Sequence, residues 1–154
     1  MDLYSRALLQ HLPASSFSSS AVGMGSSALE DSLLDVLNAS FVADGMSPPY
    51  WVQADLLDLF YVTHVSTQGH GTEQWWVTTY TLQIGLTEDH LPFVNDPMMA
   101  GAAKVFTANT DNNSTVTNTL DLPVRVWLIR LNMVTVNTQP ALRWNIEGRE
   151  GRNN

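Results

Sequence analysis

Along residues 77–86, apolar and polar side chains exchange places at every step. Tyr80, Leu82, Ile84 and Leu86 fall on one face, and Thr79, Thr81, Gln83 and Gly85 on the other. A period of two fits an extended strand with one buried face. The alternation returns near the end of the chain, where Leu142, Trp144 and Ile146 are set against Arg143, Asn145 and Glu147. Residues 124–131 are apolar on both faces, as in a central sandwich strand. Residues 51–56 and 62–67 read as two further strands. Residues 104–107 and 115–119 read as a strand pair joined through the polar segment 109–114. Residues 14–28 are rich in Ser and Gly and read as a loop, and 44–50 must turn because they hold Gly45, Pro48 and Pro49. Helical spacing occurs at Leu29, Leu33, Leu34 and Leu37, which predicts a short helix over 30–38. Short strands punctuated by Gly, Pro and Asn make the expected fold class all-β, a sandwich or barrel.

The size fits one domain: the chain has 154 residues, and domains typically run ~100–150. Hydrophobic residues make up 44% and charged residues 14%, a composition too apolar for intrinsic disorder. The apolar runs fall short of the ~20 residues of a membrane-spanning helix. Nothing before Pro13 reads as a signal peptide, since Leu8 and Leu9 are followed at once by Gln10 and His11. Cysteine is absent, which excludes disulfides and thiolate chemistry.

Charge narrows the partners. The formal net charge is −8, and no Lys or Arg lies between Arg6 and Lys104. Nucleic acids and anionic membranes are held chiefly by clustered Lys and Arg. Nucleic acid is therefore excluded as a partner, and anionic lipid is disfavoured.

No motif carries catalytic chemistry. His11, His64, His70 and His90 lack the close pairing that seeds a zinc site. Gly23-Met24-Gly25-Ser26 has its second glycine before the serine, unlike a nucleophile elbow. Gly69-His70-Gly71 lacks the third glycine and the helix of a dinucleotide loop. Asp111-Asn112-Asn113 lacks the central glycine and terminal glutamate of a calcium-binding loop. Glu88-Asp89 has no evident acid–base partner. The expectation is a non-enzymatic binding module without a cofactor.

The order of several short motifs resembles the discoidin family, also called the coagulation factor 5/8 C-terminal type (F5/8 type C). Trp51-Val52-Gln53-Ala54-Asp55-Leu56 and Val62-Thr63-His64-Val65-Ser66-Thr67-Gln68-Gly69 are similar to the family's "W-L-Q-V-D-L" and "V-T-G-V-x-T-Q-G". Gln74-Trp75-Trp76-Val77-Thr78-Thr79-Tyr80 follows where the family has "Q-W-V-T-S-Y". Lys104-Val105-Phe106-Thr107-Ala108-Asn109-Thr110-Asp111 and Ala141-Leu142-Arg143-Trp144-Asn145-Ile146-Glu147-Gly148 match its later motifs, and Pro13-Ala14-Ser15-Ser16-Phe17 its opening. The resemblance spans residues 12–149, with 1–11 an extension and 150–154 a tail. In departure from the family, Arg149 stands where a cysteine is frequent after Gly148. Trp127 replaces a usual arginine and Val136 a usual tryptophan. His70 and Thr72 replace the Arg and Asp of "G-R-G-D".

The resemblance implies an eight-stranded antiparallel β-sandwich, a discoidin-like jelly roll, with protruding loops that bind ligand at one end. It places the first loop at 18–28 with Val22 and Met24 near its tip, burial under their own loop being the alternative. The second, at 41–50, carries Phe41 and Met46. The third, at 70–76, carries His70, Thr72, Glu73 and Trp75. Trp75 and Trp76 are adjacent, so they point to opposite faces of a strand. The resemblance assigns Trp76 to the core and leaves Trp75 for the ligand, core packing being the alternative for Trp75. Asn137 and Gln139 are further polar partners.

Aromatic and hydrogen-bonding groups in acidic surroundings suit neutral sugars. The expected function is thus a lectin-like, extracellular adhesion module for surface glycans. Phosphatidylserine membranes and protein ligands are the alternatives. Some sugar-binding relatives carry a structural calcium, which here would draw on Glu30, Asp31 and Asp35. The sequons at Asn38, Asn112 and Asn113 are consistent with an extracellular home.

Overall fold

The computed structural model describes residues 5–20, 32–36, 40–43 and 48–151. They form a nearly all-strand, antiparallel, eight-stranded fold. Its strands are β1 (Arg6–Ala7), β2 (Phe17–Ser19), β3 (Phe41–Val42), β4 (Tyr50–Gln68), β5 (Trp76–Gly85), β6 (Phe106–Thr107), β7 (Val116–Asn137) and β8 (Ala141–Glu150), with a 3-10 turn at Ala14–Ser16. The order β1-β8-β4-β7-β5-β6 forms the main path; β2 pairs with β4 and β3 with β8.

Two long strands make the sandwich. The first part of β4 pairs with the end of β7, Tyr50 opposite Met133 through Asp55 opposite Leu128. Its last part pairs with the start of β7, His64 opposite Thr119 through Thr67 opposite Val116, and also with β8. Between these stretches the register breaks, from Asp55 to Phe60. Leu57 takes a left-handed φ of 62° there. The amides of Leu57 and Leu59 donate to the side chains of Asp55 and Asp58, which satisfies the irregular backbone. The bulge redirects β4, so that one strand serves both layers.

Residues 51–56 and 62–67 are therefore one strand interrupted by a bulge, where the local composition had suggested two. β7 lies between β4 and β5, as expected of a strand apolar on both faces. In β5 the alternation holds for Tyr80 and Leu82, both fully buried, and fades at its end: Ile84 is half-buried and Leu86 exposed. Val77 also faces inward, because register shifts between Val77 and Tyr80 change the phase. In β8 the expected alternation gives way to burial of both faces from Ala141 to Ile146.

Two other expectations are corrected. β6 pairs with β5, Thr107 opposite Thr79, while Val116 and Thr117 pair with β4. The two segments expected to form a hairpin thus join different neighbours; the Asn118 side chain links them by donating to the Thr107 carbonyl at 2.9 Å. In the region of the expected helix, Leu33 forms a parallel bridge to Trp144 and 34–35 turn; 30–31 and 37–38 lie outside the described residues. Tertiary contact with β8 outweighs the leucine spacing. The segment before residue 12 packs on the sandwich: β1 pairs with β8, and Leu8 and Leu9 are buried in the core. That core also takes in Trp144, Tyr80, Phe41, Leu131 and Ile146.

Candidate ligand-binding loops

The ends of β4 and β7 and the starts of β5 and β8 meet at one end of the sandwich. Trp76 pairs with Asn137, and Gln68 with Arg143. The connection 69–75 crosses this end as a tight turn. The His70 amide donates to the Trp75 carbonyl at 3.0 Å, closing the turn. The His70 Nδ1 accepts from the amide of Glu73 at 3.1 Å and, at the limit of bonding, from that of Thr72 at 3.4 Å. An accepting Nδ1 leaves the ring hydrogen on Nε2. The His70 ring stands edge-on to Trp75, with centroids 5.2 Å apart. Thr72 and Glu73 are exposed, and Trp75 is half-buried. An indole braced by an imidazole beside two polar side chains is a surface suited to stacking and hydrogen bonding.

Arg143 holds this end together. It is 4% exposed, and its guanidinium donates to three backbone carbonyls: Gly69 at 2.7 Å, Val36 at 2.8 Å and Asn112 at 3.2 Å. Burial lowers its pKa, and the Asp35 carboxylate opposes that shift. One rigid fork thus ties three separate connections to β8. Gly71, at a φ of 61°, lies close to that guanidinium. Its amide donates to the Asn112 carbonyl, and the Asn112 side chain donates to the Glu73 carbonyl at 3.1 Å. Asn137 donates to the Gln74 carbonyl at 2.9 Å. A Cβ on Gly69 would lie 2.7 Å from the Trp75 carbonyl and 2.9 Å from the Asn112 Cα, so the approach of these segments requires glycine. In the adjoining turn, bonds from the hydroxyl and amide of Ser114 hold the Asp111 carboxyl below its usual 3.8.

Of the residues expected to bind ligand, His70, Thr72, Glu73 and Trp75 are brought together in this turn. Phe41 is not among them: it is 1% exposed, pairs with Leu142 and belongs to the core. Its apolar bulk is consumed by β8, so the second loop begins after it. Val22, Met24 and Met46 lie outside the described residues. Trp76 is half-buried, and the fully buried residue at this point is Val77, so the strand turns one position later than expected. Alternation placed Arg143 outward, on the face opposite Leu142 and Trp144, and its organising role was missed. The available signal was an arginine in a strand end otherwise apolar, within an end of the molecule poor in cations.

For calcium, the described residues offer one of the three expected carboxylates. Asp35 accepts from the Gln68 side chain at 3.0 Å, while Glu30 and Asp31 lie outside them. No cluster of three or more His, Asp or Glu suited to a metal occurs among the described residues. They do not by themselves compose a calcium cage.

An antiparallel sandwich with braced loops at one end is a rigid scaffold that presents those loops. The F5/8 type C domain model matches residues 13–146, and the chain belongs to that family. Retinoschisin of Takifugu rubripes is 34% identical over 93 residues, 60% of this chain and 33% of its own length. Discoidin-2 of Dictyostelium discoideum is 32% identical over 82 residues, 53% of this chain and 30% of its own. The matched stretch thus spans about a third of these curated relatives. Among solved structures, discoidin II of Dictyostelium discoideum superposes with a TM-score of 0.75 at 22% identity, over 88% of this chain and 56% of that one. A family 32 carbohydrate-binding module of C. perfringens NanJ, solved with galactose, gives 0.69 at 15% identity, over 93% and 98%. At such identities these structures establish the shared fold.

Proposed function

We propose that this chain is a non-catalytic, lectin-like adhesion module that binds neutral surface glycans with the loops at the Arg143 end of the sandwich. The observation that carries the reading is the turn at 69–75. There Trp75 is half-buried against His70, and Thr72 and Glu73 are exposed beside it. A sugar presents an apolar face for the indole and hydroxyls for the polar groups. The solved complex of the C. perfringens module with galactose supports the same ligand class. The scarcity of cations around these loops favours neutral glycans over anionic lipid: between Arg6 and Lys104 the chain has none. Extracellular placement belongs to this reading. Asn113 is exposed within a sequon, whereas the Asn112 side chain is already engaged with the Glu73 carbonyl.

A glycan array, run beside liposomes with and without phosphatidylserine and each with calcium or chelator, tests the proposal. Glycan binding without liposome binding is the expected result, and loss under chelator would reveal a calcium site. Trp75→Ala is expected to weaken glycan binding at least tenfold, about 1.4 kcal/mol, while Tm changes little. Liposome binding alone, or silence on both surfaces, would overturn it in favour of a lipid or a protein ligand.

A further inference from the structure

At the end of the sandwich opposite the loops, the β4 bulge leaves a gap against the N-terminal segment. Gln68, at the loop end, and Phe60, at the bulge, are eight residues apart on β4, roughly 26 Å of strand at ~3.3 Å per residue. A cavity of about 230 Å3 lies there, lined by Arg6, Ala7, Leu8, His11, Leu12, Pro13, Leu56, Leu57 and Phe60. Its lining is mostly hydrocarbon. Apolar cavities of ~150 Å3 already admit small hydrocarbons.

Two further features point to a ligand. The Arg6 guanidinium lies 5.6 Å from the centre of the Phe60 ring. Arg6 makes no ion pair with a carboxylate among the described residues, nor does His11, the other cation-capable group of the lining. On the bulge, Asp55 and Asp58 accept from the amides of Leu57 and Leu59. In a chain of net charge −8, this end presents a guanidinium beside an apolar cavity. Leu57 also lines the cavity while holding its left-handed φ of 62° at 54% exposure. Such a backbone is costly for leucine and is characteristic of functional sites.

We propose that this cavity is a second binding site, distinct from the loops, for a small amphiphilic carboxylate. The aliphatic chain lies against Leu8, Leu12, Leu56 and Phe60, and the carboxylate meets Arg6. Guanidinium–carboxylate pairing is bidentate and directional, so a neutral head group of the same length is a poor substitute. The volume, below the ~300 Å3 of ordinary ligand pockets, restricts the chain to a short one.

The probe is sodium octanoate, titrated into the full chain and followed by amide NMR shifts, with hexanoate and 1-octanol beside it. Saturable shifts confined to residues 6–13 and 56–60 are expected, with the 69–75 turn unmoved. Affinity should rise about fourfold per methylene from hexanoate to octanoate, and 1-octanol should bind at least tenfold more weakly. Arg6→Gln should reduce octanoate affinity about tenfold and leave octanol unchanged. Leu12→Trp, which fills the cavity, should abolish binding of both. Equal affinity for octanoate and octanol, an unaffected Arg6→Gln variant, or no saturation at millimolar ligand would each overturn the proposal. Glycan binding through the loops is read separately on the array, so the failure of either site leaves the other intact.

Discussion

At the loop end of the sandwich, one buried arginine fastens three connections through hydrogen bonds to their carbonyls. At the opposite end, Leu8, Leu56 and Phe60 join the common core through apolar packing, with Leu12 against it. The difference follows from what each end contains. Thr72 and Glu73 of the loop turn are exposed, so its backbone is not anchored by burying these side chains. A directional donor anchored in β8 solves that problem. The bulge end is closed by apolar packing, which is less particular about geometry and tolerates a cavity.

Substitutions that remove one kind of fastening should separate the two ends. Phe60→Ala is expected to have the largest effect on stability, about 3–4 kcal/mol. Glycan binding at folded temperatures should persist, because no loop carbonyl loses its donor. Chemical denaturation together with the glycan array reads both. If Phe60→Ala abolished glycan binding in the folded state, the two ends would be coupled and the comparison would break.

Arg143→Ala comes next, at about 3 kcal/mol, because bonds from a charged donor are worth ~1.5–3 kcal/mol each and water recovers part of the loss. At ~2–4 °C per kcal/mol for a chain of this size, Tm should fall by roughly 6–12 °C. Glycan binding should drop in parallel, and Arg143→Lys should restore less than half of the stability. A folded Arg143→Ala variant with unchanged glycan affinity would remove the arginine from the account of the site.

Gly69→Ala should cost about 2 kcal/mol, within the range for overpacking. Its Cβ would press on the backbones of Trp75 and Asn112, and the effect on binding should exceed the effect on Tm. The smallest effect concerns acid. The Asp111 carboxyl titrates below its usual 3.8 because Ser114 and Asn113 donate to it. A depressed folded value means that this stabilisation is complete above the unfolded value and is lost as pH falls through the folded one. Asp111→Asn should therefore be slightly less stable than the parent at neutral pH, and the difference should vanish in strong acid. A gap that persists there would assign the effect to geometry rather than charge.

Much of the strand content was legible because alternation is local: Tyr80 and Leu82, or Leu142 and Trp144, announce a buried face within a few residues. The candidate site's geometry was legible in part. The turn carrying His70, Thr72, Glu73 and Trp75 could be placed because its motif flanks two strands. Phe41 could not be assigned, since nothing local says that β8 will cover it. The same holds for Leu33, whose leucine spacing suggested a helix until Trp144 captured it in a bridge.

The sequence by itself determined an all-β chain without cysteine, acidic and nearly free of cations before residue 104, together with the family to which it belongs. The chain's class and charge depend on composition and short-range pattern, and the family on the order of several short motifs. Only the tertiary structure decided that β4 passes through a bulge to serve both layers, that Leu8 and Leu9 join the core, and that Arg143 turns from an apparent surface position into the anchor of the loops. Each of these depends on partners far away in the chain, as Arg143 does on Val36. A long-range hydrogen bond leaves no periodic trace in the residues that make it.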